Sequence, residues 1–77
     1  MNEFDRIATN PKVCGGVPCI KGTRVMISVI LDCLAEGMTE KEILEEYPTL
    51  SAGDVSSALR FAAWKIKHEE QGISEAV

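Results

Sequence analysis

Downstream of Met26 the apolar positions recur with a helical period. Ile27, Ile30, Leu31, Leu34 and Ala35 follow the i, i+3, i+4, i+7, i+8 spacing of an amphipathic helix, predicted over residues 27 to 36. Gly37 stands where a left-handed C-terminal cap belongs. Thr39-Glu40-Lys41-Glu42 reads as a capping box, in which the Thr hydroxyl accepts from a backbone N–H and Glu42 reaches back to the cap. It opens a short second helix whose apolar face is Ile43, Leu44 and Tyr47. Pro48 ends that helix, because proline disfavours helical geometry in the residue before it, and leaves Tyr47-Pro48-Thr49-Leu50 as a tight turn. Ser51-Ala52-Gly53-Asp54 repeats the capping logic with Asp54 in the third position and opens the longest helix, over residues 52 to 69. Its expected core stripe is Val55, Ala58, Leu59, Ala62 and Ile66. Phe61 and Trp64 lie beside that stripe with Ser57 and His68, and widen the apolar surface beyond one small core, so both are candidate protein contacts.

Before Met26 the pattern changes to short segments broken by glycine. Lys12-Val13-Cys14 and Pro18-Cys19-Ile20 read as short strands separated by Gly15-Gly16. Ile20 and Arg24-Val25-Met26 flank Lys21-Gly22-Thr23 as a hairpin, with Gly22 supplying the positive φ such a turn requires. Pro11 and Pro18 keep the remainder extended and at a sheet edge. No repeat, low-complexity tract or linker interrupts the chain. The expected fold is mainly α: a small three-helix, helix-turn-helix core at residues 27–69, after a glycine-rich β/turn arm at 1–26 and before a tail at 70–77, in a single domain.

At 77 residues the chain has one small core at most. It has no run of about 18 apolar residues to span a membrane, and Met1-Asn2-Glu3-Phe4-Asp5 lacks the basic and apolar regions of a secretory signal, so a cytoplasmic location is expected. Cys14, Cys19 and Cys33 are an odd number of thiols and fit small buried side chains better than a disulfide framework. A structural zinc site wants four ligands, which only Cys33 and the lone His68 could complete, and no metal is expected. The net charge of -4 is unevenly spread: residues 1–31 carry four basic against two acidic side chains, residues 32–77 four basic against ten acidic. An anion-seeking surface therefore belongs to the first section, and the acidic remainder is a poor nonspecific nucleic-acid binder.

No catalytic constellation is visible, and neither an enzyme nor a cofactor is expected. A phosphate loop wants glycines leading into Lys and a hydroxyl residue at a helix N-terminus; here Gly16 and Gly22 have the separation, but Thr23-Arg24 follows. His68 sits among Lys65, Lys67, Glu69 and Glu70 at a helix end. The acid pairs Glu45-Glu46 and Glu69-Glu70 are adjacent on helices and do not converge. As a helix-turn-helix, the chain would contact DNA through Lys21 and Arg24 beside the glycine turn and through Ser51, Ser56, Ser57 and Arg60 of the third helix. Arg24 can equally pair with an acidic side chain, and Ser56 and Ser57 are ordinary first-turn helix residues. Phe61 and Trp64 fit an interface or core better than a base-stacking platform.

The stretch from Asn10 to Val25, with Gly15, Gly16, Pro18, Gly22, Thr23 and Arg24 in order, resembles the signature of the bacterial family known as domain of unknown function 433. The likeness continues through Ala35-Glu36-Gly37-Met38-Thr39, the segment from Glu42 to Leu50 with Pro48, Asp54-Val55 and Ala58-Leu59-Arg60-Phe61-Ala62, covering residues 4 to 64. The resemblance implies a homeodomain-like helical core with a short β arm, often dimeric. It also implies a role as a VapB-like antitoxin of a type II toxin–antitoxin pair, whose partner is a PIN-like ribonuclease toxin. The expected function is thus a non-enzymatic homodimer that neutralises a cognate toxin and represses its own operon by binding operator DNA. The alternative is a dimerisation or adaptor module without nucleic-acid contact.

Overall fold

In the computed structural model, which describes residues 5–9, 12 and 14–74, two short strands precede three helices. Strand β1 is Ile7–Ala8 and strand β2 is Cys19–Ile20; helix α1 is Ile27–Ala35, α2 is Glu40–Glu46 and α3 is Asp54–Ser74. The strands pair antiparallel, Ile7 opposite Ile20 and Ala8 opposite Cys19. The strand expected at Lys12-Val13-Cys14 is replaced, where it is described, by a 3-10 turn over Cys14–Gly16, in which Gly15 and Gly16 adopt φ of 64° and 86°. Val13 and Pro11 lie outside the described residues. The partner of β2 is instead Ile7–Ala8, a strand too short to show any alternation in the sequence.

The hairpin around Gly22 forms as expected. Ile20 N–H donates to the Val25 carbonyl at 3.0 Å, Cys19 bridges Met26, and Gly22 turns the chain at φ 82°. Thr23 holds the turn: its N–H and its hydroxyl both donate to the Ile20 carbonyl, at 3.0 and 2.8 Å, and its Oγ1 accepts from Val25 N–H at 3.0 Å. The hairpin then feeds α1 directly. Met26, at the N-cap, makes no side-chain cap hydrogen bond, and the first N–H of α1, that of Ile27, is taken instead by the Pro18 carbonyl at 3.0 Å.

The helix ends follow the local signals. After α1, Met38 N–H donates to the Cys33 carbonyl and Gly37 N–H to the Leu34 carbonyl, with Gly37 at φ 94°: a Schellman cap. At α2 the capping box is complete, Thr39 N–H donating to Glu42 Oε1 at 2.8 Å and Glu42 N–H to Thr39 Oγ1 at 3.2 Å. Leu50 N–H closes the turn onto the Tyr47 carbonyl at 3.0 Å. The third start differs from expectation. α3 begins at Asp54 rather than Ala52, and Ser51 does not cap it with its hydroxyl; Asp54 reaches back instead, its Oδ2 accepting from Ser51 N–H at 2.7 Å and from Ser51 Oγ at 3.1 Å.

Ile20, Ile27, Ile30, Cys33, Ile43, Leu50, Val55 and Ala58 form the core, one or more from β2, each helix and the α2–α3 turn. Cys19 and Cys33 are buried, as their reading as small core side chains expects. The stripe drawn for α3 needs correction: Val55 and Ala58 are buried, but Leu59 is 47% and Ile66 53% exposed, while Phe61 packs partly against the core. A helix of 3.6 residues per turn places Phe61 closer than Leu59 to the direction shared by the three buried positions Asp54, Val55 and Ala58.

One buried carboxylate ties the arm to the helices. Asp54 is 4% exposed, and its Oδ1 accepts from Arg6 Nη1 at 2.9 Å. The same guanidinium donates to Ser51 Oγ at 3.2 Å, while the Arg6 carbonyl accepts from Lys21 N–H at 2.7 Å. Gly53 makes room for it: a Cβ there would lie 2.9 Å from Arg6 Cζ. Because half of Arg6 stays in water, its loss is softened by solvent. Arg6→Ala is expected to destabilise by about 1–2 kcal/mol, and Asp54→Ala, which removes every bond to the carboxylate at a helix start, by about 2–4 kcal/mol. Gly53→Ala should cost stability only while Arg6 is present, so a double-mutant cycle in urea should show coupling between the two; additive effects would refute the contact.

The Glu42 carboxyl titrates below its ordinary range because it accepts a hydrogen bond from the Thr39 backbone, with the Thr39 side chain acting in the same direction. A folded value below the unfolded one means the contribution is complete above the unfolded value and lost as pH falls through the folded one. The urea midpoint of Glu42→Gln should therefore lie below that of the wild type at neutral pH, and the gap should close on acidification from about pH 5 downward.

Candidate functional site

Three surfaces gather the side chains with functional promise. The first is an open cleft of about 770 Å³ between the Gly22 hairpin and the α2–α3 turn, lined among others by Lys21, Thr23, Arg24, Tyr47 and Thr49. Lys21 and Arg24, both exposed, stand at its hairpin side. Partial burial raises the Tyr47 hydroxyl above its usual range, and the Cys33 thiol and Glu46 nearby act in the same direction. No residue of α3 lines this cleft, so the basic pair of the hairpin and Arg60 do not share it.

The second surface is an apolar groove of about 260 Å³ where the glycine-rich loop and α1 meet α3. Val17 and Pro18 form one wall, Ile27 and Leu31 the floor, and Phe61 and Ile66 the other wall. Lys65 and Glu69 stand on its α3 side. Val17, 43% exposed, and Ile66 leave apolar surface in water with no partner from the described chain. Sequence reasoning gave Ile66 to the core and did not single out Val17; the signal that could have found the groove is Val17-Pro18 next to a glycine turn that carries it out of the core.

The third surface is the solvent side of α3, with Ser56, Arg60 and Trp64 exposed and Ser57 half-buried. Ser51 is not part of it, its hydroxyl being engaged by Arg6 and Asp54. Phe61 and Trp64, expected as one contact, diverge: the rings lie 6.0 Å apart, but Phe61 lines the groove while Trp64 leans on His68 at 4.2 Å. Of the remaining signature residues, Gly15, Gly16 and Pro18 shape the loop beside the groove, Gly22 and Thr23 make the hairpin turn, and Pro48 the interhelical turn. Arg6, Gly53 and Asp54 were missed as a unit, since their partners lie 48 residues apart. Among the described residues no group of three or more His, Cys, Asp or Glu side chains is placed to hold a metal ion, and no helix is long and apolar enough to cross a membrane. The side chain of Cys14 lies outside the described ones.

The arm, the hairpin turn and the first two turns of α3 together span what a family model described as "Protein of unknown function (DUF433)" matches, residues 7–62. The chain belongs to the DUF433 family. It is 30% identical over 56 residues to the uncharacterized protein y4eO of Sinorhizobium fredii, a match that takes in 73% of this chain and 25% of that one. The chain thus spans about a quarter of the length of that relative. The crystal structure of a DUF433 member protein from Anabaena variabilis superposes with a TM-score of 0.75 at 30% identity, over 91% of this chain and 69% of that one. The DUF433 match ends at Ala62, so Trp64, Ile66, Lys67 and His68 lie beyond it.

If the groove is surface rather than core, its outer wall is dispensable for folding. Ile66→Lys should shift the unfolding free energy by no more than about 0.5 kcal/mol, against about 2–5 kcal/mol for Ile30→Ala. Urea titrations of both variants check this, and a large loss in Ile66→Lys would return that residue to the core.

Proposed function

We propose that this DUF433 chain is a non-enzymatic antitoxin of a type II pair, acting by occupancy: it holds a PIN-like ribonuclease through the α1–α3 groove and represses its operon through α3 of a homeodomain-like helix-turn-helix. The observation that carries the reading is the apolar groove with Val17 and Ile66 exposed on its two walls. Apolar grooves of this kind accept the apolar face of an amphipathic helix. The chain's net charge of -4 favours a basic partner, as an RNA-cleaving protein would be, over an acidic one.

A second reading, a dimerisation or adaptor module without nucleic-acid contact, is favoured by one observation. Glu40, Glu42, Glu45 and Glu46 are exposed along α2 with only Lys41 against them. In a helix-turn-helix complex the first helix crosses the phosphate backbone, where those carboxylates would be repelled.

Co-expression with the neighbouring reading frame tests the proposal. The neighbour alone should arrest growth, the pair should grow and co-purify, and Val17→Asp with Ile66→Asp should abolish both rescue and co-purification without changing the melting temperature. Rescue by the wild type that survives both substitutions would remove the groove from the mechanism. Absence of any rescue or co-purification would leave the adaptor reading.

A further inference from the structure

The solvent side of α3 has a composition unlike the rest of the chain. Ser56, Arg60, Trp64, Lys67 and His68 fall within about 120° of one another on a helix of 3.6 residues per turn, opposite Val55 and Ala58. All five are exposed, and no acidic residue occupies these positions in a chain of net charge -4. Among the described residues neither Arg60 nor Lys67 is held in an ion pair. The aromatic pair beside them is ordered by a specific contact: the His68 and Trp64 rings are 4.2 Å apart and tilted 44°, and His68 Nδ1 donates to the Trp64 carbonyl at 2.9 Å.

We infer that this stripe is a contact for the phosphodiester backbone of a nucleic-acid duplex. It is rich in donors and carries no carboxylate: the Arg60 guanidinium, the Lys67 ammonium, the Trp64 indole N–H and the Ser56 hydroxyl can all donate to phosphate oxygens. Arg60 and Lys67 are seven positions apart, about 10 Å along the axis at 1.5 Å per residue, comparable with the roughly 12 Å of a major groove. A duplex fits better than an unpaired strand. His68 already leans on the Trp64 ring and Phe61 lies 6.0 Å from it, so an unpaired base would have to displace a neighbour to stack there. An acidic protein helix fits less well, because the stripe presents no aliphatic side chain for its apolar face.

The inference rests on the nucleic-acid half of the proposed function and moves its weight toward Trp64, Lys67 and His68, beyond the DUF433 match. Trp64 is the chain's single tryptophan, so its emission reports on the stripe directly. The full chain is titrated at low salt with duplex DNA and, separately, duplex RNA, each of 20 base pairs. Saturable change in emission is expected, with log affinity falling against log salt at a slope of about -2 per chain for two phosphate contacts. Arg60→Ala and Lys67→Ala should each reduce that slope by about one at unchanged melting temperature, while Lys21→Ala with Arg24→Ala leaves it alone. Response to DNA, to RNA or to both supports the inference and identifies the source of the phosphate. Loss of binding in the Lys21 and Arg24 variant but not in the α3 variants would overturn the stripe and keep the nucleic-acid half. Absence of binding to either duplex would overturn both, and polyacrylate binding as tightly as a duplex would overturn the phosphodiester assignment.

Discussion

The arrangement of the arm and helices turns on Arg6. Strands of two residues each cannot hold themselves together in water, since even a full hairpin is marginal alone. Arg6 supplies what they lack: its carbonyl accepts from Lys21 at the hairpin, and its guanidinium reaches Asp54 at the first residue of α3. One residue therefore joins segments 48 positions apart. The cost of burying the Asp54 carboxylate is offset in two further ways. Ser51 donates to it twice, and it stands at a helix N-terminus, where the aligned peptide dipoles favour negative charge.

Local signals in the sequence were legible because their partners are local. The Gly37 cap, the Thr39 capping box, the turn at Pro48 and the hairpin at Gly22 all act within five residues, and all formed. The start of α3 was displaced because Ser51 had a competing partner: its hydroxyl sits between Asp54 and the distant Arg6. Likewise β1 was invisible, since a two-residue strand has no period, and the segment assigned to a strand at Lys12-Val13-Cys14 ends in a 3-10 turn. Leu59 and Ile66 misled for a different reason. An apolar residue at helical spacing says which face it shares, and not whether anything lies beyond that face.

The same limit applies to the candidate site. Phe61 and Trp64 share one expected contact in the sequence pattern, but adjacency in sequence joined what the helix separates. Phe61 lines the groove shared with α1, and Trp64 belongs with Arg60 and Lys67 on the solvent side. The hairpin basics Lys21 and Arg24 face a third region, beside the α2–α3 turn. Thr23, whose place in the signature invites a ligand role, spends its N–H and hydroxyl on the turn itself. The glycine-rich stretch is thus chiefly architecture that delivers Val17 to the groove and the basic pair to the cleft.

Charge segregation gives these surfaces different partners in principle. The exposed side of α2 is acidic and that of α3 is basic and aromatic, although both helices pack on the same core. In a helix-turn-helix complex both helices would approach the same duplex, and the carboxylates of α2 would oppose what Arg60 and Lys67 attract. That opposition weakens along α3, which continues for roughly 30 Å at 1.5 Å per residue and carries Arg60 about 9 Å and Lys67 about 20 Å from its start. Distance then screens the α2 carboxylates, since exposed charges more than a Debye length of about 8–10 Å apart interact weakly at physiological salt. A duplex held there lies against the side of α3 opposite the core, and Phe61 and Ile66 remain turned toward the groove. Occupation of one surface leaves the other open, so a protein in the groove and a duplex on the stripe need not compete for the same side chains.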